Sequence, residues 1–347
     1  MRAADLSSFS HRGIGSAALL SLGLLFTVWL VWHEGARGIF SILQQSSWLI
    51  WLLLPAHALV IALDAMSWRW LLASVPGRPA LPRLTWLALL REAVNGLLPV
   101  ARVGGEFVGI RLLARMGVSL VQAAASVVVE VSLTLLSQFL FVLLGVVLLL
   151  DRAGGVKLLW EIFYAMLGAL PVLALLFWLQ GRVGLFHMLH TVLGRVSGGR
   201  DFSVLIGDPR QLDAEILLIY RRRWTLLWAN FWQLAGLFAG AGEVWLSFLL
   251  LHRPIPVSAA VLLESLGQAL RSVAFFMPSA LGVQEGGFVL FGAVVGVGPE
   301  LALAYSLLRR FRELALGLPL LISWYVWEGQ GLRKKMVRKT RSQEEGA

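Results

Sequence analysis

Six stretches of the chain, 16–32, 48–70, 119–150, 157–180, 224–251 and 301–327, are apolar almost throughout. Each reaches the roughly 17–20 residues that a helix needs to cross bilayer hydrocarbon, so the pattern predicts six spanning helices. Pro55 is a candidate kink in the second and Pro171 falls inside the fourth. Two further apolar pairs, 84–98 with 106–115 and 257–277 with 285–297, are different in kind. Their arms are shorter or carry charge, and each pair is interrupted by a helix-breaking turn: Pro99, Gly104 and Gly105 in the first, Pro278 and Gly282 in the second. These predict two re-entrant helical hairpins, tolerated at membrane depth only where protein or a wet cavity covers the freed backbone.

The two breaks match each other. Displaced by 179 positions, Pro278 falls on Pro99, Ala280 on Ala101 and Glu285 on Glu106, and the match continues through Gly296 on Gly117, Val297 on Val118, Ala302 on Ala123 and Ala304 on Ala125. The next buried charges also coincide, Glu130 against Arg309. Interrupted apolar segments at corresponding positions of two halves mark a carrier built from an inverted repeat, with its site between the breaks. The predicted fold is therefore an all-α polytopic membrane protein of about six full transmembrane helices plus two re-entrant hairpins. Residues 1–330 form a single integral membrane domain, with repeat one at about 48–150 and repeat two at about 224–327. The polar insert 181–223 is cytoplasmic or interfacial: Leu185, Phe186, Leu189, Val192, Leu193 and Val196 recur at helical spacing, and an ordinary linker fits as well. Residues 331–347 are a basic cytoplasmic tail.

Composition agrees with this class. Hydrophobic residues make up 58% and charged residues 14% of the chain, whereas a soluble domain carries about 25% charge. The net charge of +10 resides between and after the apolar runs, where it sets topology and meets lipid headgroups; nothing in it suggests nucleic acid. Arg2 and Arg12 precede an apolar run that continues to Trp32 without a small-x-small cleavage site, which predicts a retained first span. With six spans, the loops at 1–15, 71–83 and 181–223 and the tail share one side and hold most of the Lys and Arg. The opposite loops, 33–46, 151–156 and 252–256, hold only Arg37, Arg152 and Arg253. Both termini are then cytoplasmic, and the two hairpins enter from opposite faces.

A charge at the centre of a span costs about 2.5–3.5 kcal/mol, so each one needs a partner, water or a use. Glu264, Gln268 and Arg271 share one face of a hairpin arm, as do Arg91 and Asn95 in the other hairpin. Glu130 is deep in its span, Arg309 and Glu313 are four apart, and Glu106 and Glu285 follow the breaks at helix N-termini, where the dipole favours negative charge. These ten are the candidate substrate-binding residues, lining a wet pocket for an anionic or zwitterionic headgroup. Two plainer roles compete: an Arg309–Glu313 ion pair that only fixes the fold, and Glu106 and Glu285 as helix caps. The chain has no cysteine, its six histidines are scattered and no HExxH, aspartate cluster or phosphate loop occurs, so no catalytic residue, metal or cofactor is expected.

Leu98-Pro99 to Gly105-Glu106, the turn Pro278-Ser-Ala-Leu-Gly-Val-Gln-Glu285, Gly296 and Ser306-Leu-Leu-Arg309 resemble the flippase-type membrane half of bacterial lysylphosphatidylglycerol synthases. Val103-Gly-Gly-Glu-Phe-Val-Gly-Ile-Arg111 and Gly282-Val-Gln-Glu-Gly-Gly287 are most similar to its hopanoid-biosynthesis-associated members. The resemblance implies a lipid transporter or flippase of the bacterial inner membrane for hopanoids or phospholipids. It does not imply lipid aminoacylation, since no stretch reads as the soluble transferase domain. A non-catalytic membrane partner of a lipid-synthesis enzyme and an integral-membrane lipid-modifying enzyme stay open. Implied partners are membrane lipids, with a lipid-synthesis enzyme or a second copy of the chain. Single cysteines placed at 100–104 should label from the cytoplasmic side and those at 279–283 from the other; labelling of both sets from one side would contradict the inverted arrangement.

Overall fold

The computed structural model describes residues 32, 48–98, 104–152, 157–182, 208–273 and 282–344. A 3-10 turn, Trp48–Leu52, leads into α1 (Leu53–Leu71), followed by α2 (Leu81–Leu97), α3 (Gly104–Arg115), α4 (Leu120–Arg152) and α5 (Lys157–Arg182). Then come α6 (Pro209–Tyr220), α7 (Arg223–Leu250), α8 (Val257–Val273), α9 (Val283–Val294) and α10 (Pro299–Glu344). Among the described residues, Trp48–Leu71, Leu120–Asp151, Trp160–Gln180 and Arg223–Leu250 are long and apolar enough to cross a membrane. The protein is an all-α polytopic membrane protein.

Several expectations shift. The span predicted at 16–32 lies outside the described residues except for Trp32, as do Pro99, Pro278 and the helical pattern at 185–196. The span predicted at 301–327 lies within α10, whose Arg309, Arg310, Arg312 and Glu313 set it apart from the four apolar helices. At ~1.5 Å per residue, α10 is ~69 Å long, over twice the ~30 Å hydrocarbon thickness. It continues into the basic tail as one helix. Pro55, the candidate kink, falls in the first turn of α1, directly after the 3-10 turn Trp48–Leu52, where a helix start leaves N–H groups unpaired anyway. The described part of the insert holds α6, capped by Asp208, which accepts from the Arg210 N–H at 2.9 Å. Leu212, Ile216 and Ile219 of α6 are buried on α4 and α5.

The hairpin elements recur at the predicted displacement. α3 and α9 are both 12 residues long and begin and end 179 positions apart, and α2 and α8 are both 17 residues. Both short arms end on a glycine in the left-handed region, Gly117 at φ 99° and Gly296 at φ 77°, a conformation that costs glycine little. The same hydrogen bond closes each end: Val118 N–H to Leu113 C=O at 3.4 Å, and Val297 N–H to Gly292 C=O at 2.8 Å.

α1 lies along α7, while α2 packs on α3 and crosses to α10, and α8 packs on α9 and crosses to α4. Each half thus lends its first hairpin arm to the long helix of the other. One apolar core gathers around Trp68, Leu87, Leu113 and Ala124, a second around Phe248, Leu263, Phe288 and Leu308. Small residues permit the crossings. A Cβ on Gly317 of α10 would come within 2.5 Å of Leu97 Cδ1 of α2, and one on Gly145 of α4 would overlap Ser265 of α8. Gly145→Val should therefore destabilise the detergent-solubilised protein by about 1–3 kcal/mol in thermal unfolding. Gly168→Ala, where a Cβ meets nothing within 4 Å, should not lower its stability.

Candidate functional site

In the first half the polar chemistry centres on Arg91 of α2. Gly105 and Gly109 let α3 approach it: a Cβ on Gly105 would stand 2.8 Å from Asn95 Cγ, and one on Gly109 would stand 2.7 Å from Arg91 Cδ. Arg91 Nη1 donates to Glu130 Oε2 of α4 at 2.6 Å, and Nη2 donates to Glu106 Oε2 of α3. Asn95 accepts from the Gly105 N–H at 2.8 Å and donates to Glu106 Oε1 at 3.3 Å. The guanidinium also stands over Trp68 of α1, 4.6 Å from the ring centroid. Trp68 in turn donates to Ser126 Oγ at 3.0 Å.

The second half is built alike with the signs exchanged. Glu264 of α8 takes the central position and accepts from Arg309 Nη1 of α10 at 2.9 Å, Arg271 Nη2 at 2.8 Å and Gln268 Nε2 at 3.0 Å. Arg309 is held further by Tyr305 Oη at 3.1 Å, and its Nε stands 3.8 Å from Glu313, so Glu264 rather than the predicted Glu313 is its principal partner. Arg310 donates to Glu313 at 2.7 Å and to Glu285 Oε1 at 3.3 Å. Glu285 is fully buried, and its other oxygen accepts the Gly282 N–H at 2.6 Å. It is a cap and an anchor for Arg310.

A third set joins four helices. His57 of α1 stands 2.9 Å from Glu92 of α2 through Nε2 and 2.9 Å from Glu243 of α7 through Nδ1, and Arg312 of α10 pairs with the other oxygen of Glu243. Carboxylates only accept, so both bonds form together only when both ring nitrogens carry hydrogen. This set was missed in the sequence because its members lie on four different helices, and no local spacing links His57 to Glu92, Glu243 and Arg312.

Two polar cavities open among these groups. The central one, about 250 Å³, is lined by His57, Asp64, Glu92, Asn95, Glu243, Glu264, Gln268, Arg271, Gln284, Arg309, Arg310, Arg312 and Glu313, among others. The second, about 260 Å³, is lined by Arg91, Glu106 and Glu130 and shares Asp64, Glu92 and Asn95 with the first. A narrow crevice of about 30 Å³ between α2 and α10 runs from His57, Glu92 and Glu313 to Leu97, Leu316 and Leu320. Of the ten candidate residues, nine line one or both cavities; Glu285 lines neither. Glu106 and Glu285 therefore do not face one shared pocket. Among the described residues no group of three or more His, Asp or Glu is arranged to hold a metal ion.

A family model described as lysylphosphatidylglycerol synthase TM region matches residues 14–320. The chain belongs to this family. That makes it a membrane protein of lipid metabolism or transport. Searches of curated proteins and of solved structures gave no match. In this member of the family, the two glutamates that follow the breaks differ in role: Glu106 holds Arg91 at a cavity wall, while Glu285 closes the start of α9.

Removing one partner of a buried pair leaves an uncompensated charge, at about 3–5 kcal/mol. Arg91→Met should lower stability by about that much in chemical unfolding. Arg91→Met combined with Glu130→Met should recover part of the loss, because the stranded carboxylate deepest in the fold is gone.

Proposed function

We propose that this protein is a lipid transporter, a flippase of the bacterial inner membrane that carries a phospholipid headgroup or the polar end of a hopanoid through the central cavity. The apolar part of the lipid stays in hydrocarbon. The observation that carries this reading is the central cavity itself: about 250 Å³ lined by charged side chains, between helices built to cross a bilayer. A headgroup leaving water loses its hydration, and a wall of fixed ion pairs and amides replaces it. The crevice between α2 and α10 supports the reading, since it runs from the charged wall to leucines and gives a chain an apolar exit. On this account the hairpins dip from opposite faces, both termini are cytoplasmic, and the lipid leaves chemically unchanged.

The test is reconstitution of the full chain in proteoliposomes with acyl-labelled phosphatidylglycerol, following protection from a membrane-impermeant quencher. Transport without change in lipid mass is expected. Gln268→Leu and Arg271→Met should each slow it by about tenfold or more, the scale of one charge-assisted hydrogen bond at about 1.5–3 kcal/mol. A lipid of altered mass would instead identify an enzyme, and absence of transport would leave the partner role.

A further inference from the structure

We infer that the seam between α2 and α10 is a binding slot for one unbranched hydrocarbon chain of the lipid, with Gly96 as the residue that sets its width. This rests on the lipid-carrying function proposed above and narrows its substrate class by chain shape: slender acyl chains pass, methyl-branched or fused-ring tails do not.

The halves cross by equivalent contacts, α2 on α10 and α8 on α4, yet the two seams are not alike. The α8–α4 seam is shut. A Cβ on Gly145 would overlap Ser265, and Phe141 of α4 packs with Val261 of α8 and Ala241 of α7 while its ring meets that of Phe238 edge-on at 5.3 Å. The α2–α10 seam holds the crevice, with Leu89, Gly96 and Leu97 on one wall and Leu316, Gly317 and Leu320 on the other. One turn beyond Leu89 and Leu320 this seam too is closed. There Trp86 donates to Ser323 Oγ at 3.2 Å, its ring centroid lies 6.0 Å from that of Trp327, and the Arg115 guanidinium stands over Trp327. A chain tied to a headgroup in the central cavity therefore meets the bilayer along the stretch between Leu97 and Leu89.

Crevice and cavity meet at His57, Glu92, Gly96 and Glu313, which line both. Three of these are fixed in ion pairs, His57 with Glu92 and Glu313 with Arg310. Gly96 is the gap in that wall. Its backbone is helical and outside the left-handed region, so conformation does not require glycine, and a Cβ built on it meets nothing within 4 Å, so packing does not either. Glycine within a helix is less stable than alanine. What its missing side chain leaves open is the throat between the charged wall and the leucines. The crevice volume of about 30 Å³ is room for roughly two water-sized spheres, the girth of a single extended chain. Leucines on both walls give such a chain dispersion contact along its sides, and a methyl branch or a ring system has no space there.

The full chain is reconstituted in phosphatidylcholine vesicles with a trace of palmitoyl-oleoyl or diphytanoyl phosphatidylglycerol, which share a headgroup and differ in methyl branching. Lipid reaching the outer leaflet is read by periodate cleavage of the headgroup diol, so no label burdens the chain. The wild type should move the unbranched lipid about tenfold faster or more, the discrimination that one extra carbon gives in an apolar slot. Gly96→Phe should slow the unbranched lipid by a similar factor relative to Gly242→Phe, a change on α7 where a Cβ also meets nothing within 4 Å and no cavity is lined. Gly96→Ala, which keeps the test open if Gly96→Phe does not fold, should widen the ratio of unbranched to branched rates without lowering the melting temperature. Equal rates for the two lipids in the wild type overturn the assignment. So does a Gly96→Phe protein as fast as Gly242→Phe, or a Gly96→Ala protein that melts lower and keeps the wild-type ratio, the mark of a merely structural glycine. If the wild type moves no lipid, the transporter function falls, and crosslinking still decides the slot. Phosphatidylglycerol with a diazirine in mid-chain should mark α2 and α10 around Gly96 and Gly317 in excess over α5, and Gly96→Phe should remove that excess; no excess in the wild type overturns the slot.

Discussion

A charge taken out of water must be met by another, and each half of this fold meets that demand with the same elements and opposite signs. Arg91 on the first hairpin arm takes carboxylates from the short arm and from the long helix behind it; Glu264 on the second takes guanidiniums from its own arm and from α10. Other features follow from this need. The glycines at 105 and 109 leave room for Arg91, and Trp68 offers it a ring face. Arginine suits the first place because its planar fork serves two carboxylates at once, and in the second the two oxygens of Glu264 each take a guanidinium.

Ion pairs of this kind are costly to assemble and costlier to break, so they make a stiff wall. They suit a site that must replace the solvation of a headgroup without itself reorganising. The link between halves is of another sort: His57 bridges Glu92 and Glu243 through its two ring nitrogens. The arginine pairs lie within the halves, and the histidine bridge lies between them.

Much of the scaffold was legible in the sequence. Apolar runs gave the long helices, and the helix-breaking turns at Pro99–Gly105 and Pro278–Gln284 gave the short arms to within a few residues, because proline and glycine constrain the backbone locally. Charges spaced at helical intervals, such as Glu264, Gln268 and Arg271, could be assigned to a common face before any coordinates. What could not be read was pairing across the fold. Glu313 looked like the partner of Arg309 because it is four residues away, yet Glu264 lies nearer in space. His57, Asp64, Glu92 and Glu243 come together only through the packing of α1 on α7 and α2, which no local pattern encodes.

The exchange of hairpin arms bears on how the chain is made. α2 rests on α10 and α8 on α4, so the first half has no finished binding surface for its own arm when it leaves the ribosome. Until α10 has been synthesised, the polar face of α2 with Glu92 and Asn95 lacks its cover. The nascent protein therefore has to hold a partly hydrated, unfinished bundle in the membrane through more than half of translation, and an insertase or chaperone that shields polar surface in lipid would act during that interval.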